Sequence, residues 1–303
     1  MSEQIGVVWN PSKVDESELR EAVMSVLGDP VQWWETSQED PGRGMAQQAV
    51  EAGCRTILAV GGDGTVRAVA EALAGTDVAL GIVPRGTGNL LARNLEVPLD
   101  DIPAALERIG RREGRRIDLG WVEIDGVERG FAVMVGFGVD AQMLVETDDD
   151  LKERAGWLAY VESMGRALAG TEMTGITLTL DDDDPVELRG HTMLIGNCGM
   201  LQGGIRLLPD AKLDDGLLDL LLVNADGPLQ WMDTVRSVVW DNGIRRLFDR
   251  EGAAVSTEST DHRTAERIRV RLETLLAFEI DGEEIGEVAE FGVRVQPGAV
   301  QVL

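Results

Sequence analysis

The chain has 303 residues, 44% of them hydrophobic, which suffices for one large domain or two ordinary ones around a substantial core. Its 54 acids outnumber 28 bases, and the resulting net charge of −26 argues against a nucleic-acid partner and against attraction of the whole molecule to an anionic membrane. No signal-peptide pattern opens the chain and no stretch approaches the roughly 18 consecutive apolar residues of a membrane span, so a cytoplasmic location is expected.

In chain order, the first part alternates strand and helix. Ile5–Trp9 reads as a strand. Glu16–Leu27 reads as a helix, with Leu19, Val23, Val26 and Leu27 on one side. Val31–Glu35, Thr56–Val60 and Val78–Val83 are further strands; Gly44–Ala52, Val66–Ala74, Asn89–Leu95 and Ile102–Ile109 are the intervening helices. Such an order implies a parallel sheet with helices on its faces. After Ile117 the pattern changes to short strands: Phe131–Val135, Ile176–Leu180, Val186–Leu188, Thr192–Ile195, Leu217–Val223, Ile268–Leu272 and Ala277–Ile280. Asp-Gly turns at 125–126, 215–216 and 281–282 punctuate them. Two helical segments, Leu151–Leu168 and Pro228–Phe248, interrupt this β-rich part, and polar Glu251–Arg263 is expected to be an exposed loop. The acid runs at 148–150 and 181–184 read as solvated turns rather than metal sites. Cys54 and Cys198 read as buried, reduced thiols.

Two glycine-rich loops follow successive strands. Gly61-Gly62-Asp63-Gly64-Thr65 follows Thr56–Val60, and Gly86-Thr87-Gly88-Asn89 follows Val78–Val83 after Pro84-Arg85. Ligands bind at the carboxyl edge of a parallel sheet, where glycines admit a phosphate to the backbone and helix amides point at it. A Walker loop is excluded, because none of Lys13, Lys152 and Lys212 follows a glycine. The dinucleotide spacing fails because position 67 is Arg, and no protein-kinase set is present.

These loops resemble the diacylglycerol kinase catalytic family, which includes bacterial lipid kinases and sphingosine kinases. Further blocks resemble it in order: Asn10-Pro11, "GFGVDAQML" from Gly136, "LPDAKLDDGLLDLLLV" from Leu208, and "EIDGEEI" from Glu279. NAD kinases share the first loop, but here the second runs on as Asn89-Leu90-Leu91 instead of the expected Asn-Glu. The resemblance implies an α/β nucleotide-binding domain of NAD kinase and phosphofructokinase type, residues 1–117 plus 294–303. A C-terminal β-sandwich domain, 118–293, would carry the substrate. The last strand would return to the first domain, as the alternation of Val300 and Val302 suits.

The same resemblance implies ATP and Mg²⁺ as cofactors. Gly61, Gly62, Asp63, Gly64, Thr65, Val66 and Arg67 would wrap the phosphates, with Asn10, Thr36, Thr87 and Asn89 as further nucleotide contacts. Asp63 makes sense beside phosphate if it acts through Mg²⁺, with a turn-stabilising role as the alternative. Glu283 is the first choice for the base that takes the acceptor proton, and Asp281 is the alternative or a helper. A structural Mg²⁺ would be held by the carbonyls of Lys212 and Leu217 and the side chain of Asp215. Two departures stand out: Ser12-Lys13 replaces the usual residue and Ser-Gly after Asn-Pro, and Leu90 stands where diacylglycerol kinases often carry Asp.

The function implied is transfer of the ATP γ-phosphoryl group to a lipid hydroxyl, diacylglycerol first. Alternatives are another glycerolipid, a sphingoid base, a soluble NAD-type substrate, or a regulator without catalysis. Arg108, Arg111, Arg112, Arg115 and Arg116 form the clearest basic patch, expected either to dock on anionic lipid at the inner membrane surface or to pair with the chain's own acids. An acyl pocket is expected among apolar residues of the second domain, involving Trp157 and Tyr160, and a homodimer is left open.

Overall fold

The computed structural model describes residues 4–28, 31–138, 173–201, 206–224 and 260–303. The segments Leu151–Leu168 and Pro228–Phe248, with Trp157 and Tyr160, lie outside the described residues, as does the acid run at 148–150.

The first half is β1 (Ile5–Trp9), α1 (Glu16–Val26), β2 (Val31–Glu35), α2 (Arg43–Glu51), β3 (Thr56–Gly61), α3 (Asp63–Leu73), β4 (Ala79–Pro84), α4 (Leu90–Asn94) and α5 (Ile102–Gly110). The strands run parallel in the order β2-β1-β3-β4. Every residue of β1, β3 and β4 is buried, because helices cover both faces. Val7, Trp9, Leu58 and Val60 pack with Leu19 and Val23 of α1 and with Leu106 and Ile109 of α5. The alternate residues Val8, Ile57, Ala59 and Ile82 pack with Ala46 and Ala49 of α2 and with Val66, Val69 and Leu73 of α3. Two-sided burial makes these strands nearly continuous apolar runs. Helix starts follow local chemistry: the Asp15 carboxylate accepts the amides of Ser17 (2.9 Å) and Glu18 (3.1 Å), and Asp101 accepts that of Ala104 (2.9 Å).

The second half is antiparallel: β5 (Arg115–Ile124), β6 (Val127–Phe131), β7 (Met134–Phe137), β8 (Thr174–Leu180), β9 (Val186–Gly190), β10 (Thr192–Gly196), β11 (Leu218–Val223), β12 (Thr260–Ala265), β13 (Arg267–Ile280) and β14 (Glu283–Val302). Its core gathers Phe131, Phe137, Phe278 and Phe291, the last two with ring centroids 4.6 Å apart. The end of β14 re-enters the first half and pairs parallel with β4, Gln301 opposite Ala79 and Val302 opposite Leu80. The end of β14 therefore joins the parallel sheet of the first half.

Several details differ from the sequence reading, which has no strand at β5 and begins α3 at Val66 instead of Asp63. Phe131–Val135 is not one strand; it breaks at Ala132-Val133, where the backbone turns toward another partner described below. Residues 267–280 form one strand, whose apparent interruption is a bulge between Arg271 and Leu276. The polar segment expected as a loop ends in β12, which pairs along β11 from Val223↔Thr260 to Leu218↔Ala265. An edge strand lacks the apolar alternation that would have marked it. Among the described residues, no helix is long and apolar enough to cross a membrane.

Candidate active site

The carboxyl ends of β1 to β4 share one edge, and the sequence-predicted nucleotide contacts sit on it. Asn10 follows β1 and donates its amide to Val60 O at 2.9 Å. Its side-chain oxygen accepts from the amide (3.0 Å) and hydroxyl (2.7 Å) of Ser12. Ser12 thus closes the turn locally, an Asx-type closure in a sequence that departs from Ser-Gly. Thr36 follows β2, is buried, and donates its amide to Trp9 O at 2.9 Å.

The two glycine loops pack backbone against backbone. A Cβ on Gly86 would lie 2.6 Å from the Gly62 Cα, and one on Gly61 would lie 2.6 Å from Thr65 Oγ1, so side chains are excluded at both positions. Asp63 joins the loops: its Oδ2 accepts the Asn89 amide at 2.7 Å and its Oδ1 the Leu90 amide at 2.6 Å. Asn89, in the left-handed region (φ 48°), closes its own loop by accepting the Gly86 amide at 2.8 Å and donating to Gly86 O at 2.7 Å. Leu90 is buried in the core, which accounts for an apolar residue there. The cradle suits a phosphate: the first amides of α3 have no acceptor within their helix, and the Cβ direction of Gly64 is open. Thr65 is buried and Thr87 exposed. Two of the roughly four lone-pair positions of the Asp63 carboxylate are filled by amides, leaving acceptor capacity for a cation. Burial pushes its carboxyl above the ordinary range, and the nearby charge of Asp281 adds to this.

Asp281 and Gly282 form the two-residue turn between β13 and β14, both with positive φ (49° and 81°), the geometry of a type I′ turn. The Asp281 carboxylate turns inward. Its Oδ2 accepts the Ala132 amide and its Oδ1 those of Val133 and Met134, all at 2.9 Å. This is the partner that breaks β6 from β7. Burial pushes Asp281 up, against the Arg67 charge and the three amides. Cys198 is fully enclosed, its thiol pushed up by burial and by the charges of Asp281 and Asp63.

Glu283 is the first residue of β14, with an exposed side chain. It is bonded by Nη2 of Arg67, whose Nη1 donates to Ile280 O at 2.9 Å. The Arg67 guanidinium is therefore committed to this hairpin; only its backbone is placed as the phosphate-loop expectation requires. One turn further along α3, Glu71 Oε1 accepts the Gly130 amide at 3.0 Å and Oε2 faces Arg43 at 3.5 Å. Burial pushes Glu71 up despite Arg43 and Arg67. A raised carboxyl stabilises the fold fully below its unfolded pKa and loses that contribution as pH rises through the folded value. Glu71→Gln, which retains the acceptor for Gly130, is thus expected to raise the melting temperature at about pH 8, with the gain shrinking toward about pH 5. A pH series of thermal scans checks this.

The Lys212–Leu217 turn packs on the β5–β14 pair, where Asp118 donates its amide to Leu213 O at 2.6 Å. Asp215 Oδ1 accepts the Leu217 amide at 3.1 Å. Asp219 is pushed up to about 7 by burial, then by the charges of Asp215 and Asp210. The implied set, the Asp215 carboxylate with the Lys212 and Leu217 carbonyls, consists of oxygen donors of the kind a divalent cation takes. Among the described residues no three His, Cys, Asp or Glu side chains converge on one point. Sequence reasoning missed Asp118, which ties this turn in place. Its buried carboxylate accepts the Gly216 and Gly298 amides, both at 2.7 Å, and its carbonyl accepts from Asn197 Nδ2 at 2.9 Å. It also missed Glu71 and Asn94, which bonds Met200 through both backbone groups (2.8 and 3.1 Å). No motif marks these residues; their partners are remote backbone groups.

Comparison with known proteins identifies the family and the fold. Residues 7–122 match the diacylglycerol kinase catalytic domain, and residues 133–303 match the YegS C-terminal NAD kinase beta sandwich-like domain. A probable lipid kinase YegS-like of Stenotrophomonas maltophilia is 31% identical over 308 residues, 98% of this chain and 94% of that protein. One from Xanthomonas oryzae pv. oryzae is 33% identical over 230 residues, 72% of this chain and 73% of that protein. In fold, the chain is similar to a putative diacylglycerol kinase from Bacillus anthracis (TM-score 0.74, 22% identity, covering 99% and 96% of the two chains). It is also similar to an NAD kinase from Archaeoglobus fulgidus in complex with ATP (TM-score 0.51, 12% identity, 99% and 92%). Matching both domains in order, with the paired glycine loops and the Asp-Gly-Glu hairpin at their junction, this chain belongs to the diacylglycerol kinase catalytic-domain family, among its YegS-type lipid kinases.

Proposed function

We propose that the chain phosphorylates a lipid hydroxyl with ATP, diacylglycerol being the first acceptor to test. The observation that carries this reading is the convergence of the Asp63-braced phosphate cradle and the Glu283 hairpin on the two sides of one junction. The amides of Gly62 to Thr65 would hold phosphate oxygens, with the α3 dipole favouring negative charge. Glu283 would accept the proton of the attacking hydroxyl, which a carboxylate within hydrogen-bond reach can do. Asp281, enclosed by three amides, would fix the backbone from which Glu283 projects. Asp63 and the Asp215 turn would hold Mg²⁺, which supplies charge neutralisation for the transferred phosphoryl group. The choice of acceptor is tested by kcat/KM in mixed micelles containing diacylglycerol, monoacylglycerol or a sphingoid base at equal mole fraction. The highest value with diacylglycerol is expected; a clear preference for another acceptor reassigns the substrate.

Peripheral docking through the arginine patch is part of the proposal. Arg111, Arg112, Arg115 and Arg116 are exposed. Several of the five also serve the fold: Arg108 bonds Glu96 O (3.0 Å), Arg115 faces Asp214 (3.6 Å), and Arg116 bonds Gly298 O (3.0 Å) and Asp77 (3.1 Å). Changing all five to Gln is expected to reduce co-sedimentation with phosphatidylglycerol liposomes at low salt, since each basic residue near an anionic surface contributes about 1 kcal/mol. Unchanged sedimentation means that the patch serves only the chain's own acids.

A further inference from the structure

Arg67 lies within the phosphate-loop block, yet its side chain turns to the β13–β14 hairpin. Its guanidinium spans both ends of the Asp281-Gly282 turn, donating through Nη1 to Ile280 O at 2.9 Å and through Nη2 to the Glu283 carboxylate. Ile280 and Glu283 are the directly opposed pair that closes the hairpin. The contact links residues 216 positions apart in sequence and is the ion pair that joins α3 to this hairpin among the described residues. Arg67 is only 15% exposed and Glu283 63% exposed. An ion pair with one partner so open to solvent adds little to stability, so stability alone gives no reason to commit a largely buried arginine here. The other acids within reach of its charge are already engaged: Asp281 by three backbone amides, and Glu71 by the Gly130 amide and Arg43. Glu283 takes its bond from Arg67. The planar fork of arginine makes both contacts at once, which the point charge of a lysine cannot reproduce.

We propose that Arg67 is a positioning residue for phosphoryl transfer: it clamps the Asp281-Gly282 turn and fixes the Glu283 carboxylate against α3, so that the helix whose first turn would receive the phosphates also sets the base. This rests on Glu283 being the base. It assigns the Arg67 side chain away from direct nucleotide binding, and it makes the two halves of the site register through one guanidinium. A displacement of the base by about 1 Å is enough to cost on the order of 100-fold in rate.

The test is steady-state kinetics in mixed micelles with wild type, Arg67→Met, Arg67→Lys, Glu283→Gln and the double variant Arg67→Met/Glu283→Gln, each checked by thermal melting. Arg67→Met is expected to lower kcat by about 10- to 100-fold while KM for ATP stays within about twofold. Arg67→Lys is expected to recover part of kcat. In the Glu283→Gln background the same Met substitution is expected to change kcat by less than about threefold, because the group it positions is gone. If Arg67→Met does not fold, Arg67→Gln and Arg67→Lys carry the same comparison. A large rise in KM for ATP with kcat intact overturns the proposal and makes Arg67 a nucleotide ligand. A wild-type Arg67→Met beside an inactive Glu283→Gln overturns the clamp alone, whereas an active Glu283→Gln overturns the base reading and the clamp with it.

Discussion

Asp281→Ala is expected to lose roughly 3–6 kcal/mol of folding stability, since three buried amide donors, those of Ala132, Val133 and Met134, would be left without an acceptor and each such orphan costs about 1–3 kcal/mol. Alanine at a φ of 49° adds backbone strain of about 1 kcal/mol. Relief of burying a carboxylate offsets part of the loss. For a domain stable by about 5–15 kcal/mol this approaches unfolding. Asp281→Asn is a graded control: its carbonyl oxygen still accepts the Val133 and Met134 amides, but its NH₂ faces the Ala132 amide donor to donor. It should fall between wild type and Ala, at a loss of about 1–3 kcal/mol. Denaturant unfolding measures both. An Ala variant within about 1 kcal/mol of wild type would mean that the three amides find other acceptors and that the β6–β7 break is not maintained by Asp281.

Glu283→Gln has the opposite profile. Its side chain is exposed and the glutamine oxygen can still accept the Arg67 bond, so stability should change by less than about 1 kcal/mol. The amide keeps the shape but has almost no affinity for a proton, so kcat should fall by about 10²- to 10⁴-fold, the usual contribution of general base catalysis. KM for ATP should be little affected, because no phosphate contact is assigned to this side chain. Together the two variants separate the roles of neighbouring acids: Asp281 supports the turn from inside, and Glu283 works from its outer face.

Much of this site is readable from sequence, for a physical reason. The βα units announce themselves through two-sided burial, which turns β1, β3 and β4 into apolar runs. The loops announce themselves through glycines such as Gly86, which meets the Gly62 backbone, and Gly61, which faces the Thr65 side chain. The type I′ hairpin at Asp281-Gly282 is equally local. What sequence does not reveal is the use of carboxylates as long-range amide acceptors. Asp63 reads as a cation ligand, yet its oxygens first brace the second loop through Asn89 and Leu90. Asp118 and Glu71 carry no motif, because their partners Gly216, Gly298 and Gly130 are distant in the chain. Arg67 reads as part of a phosphate loop because its backbone is in one; the direction of its side chain is set by a hairpin 216 residues away. β12 escapes notice because an edge strand buries little and need not alternate.

Label transfer from ATP tests lipid phosphorylation directly. Purified protein, Mg²⁺ and γ-labelled ATP are incubated with diacylglycerol in mixed micelles, and with NAD in a parallel reaction. Label is expected in a chloroform-extractable phospholipid, and it is expected to disappear in Glu283→Gln. Label confined to NAD, or no label in diacylglycerol or any other lipid hydroxyl while ATP still binds, would contradict lipid phosphorylation by this chain.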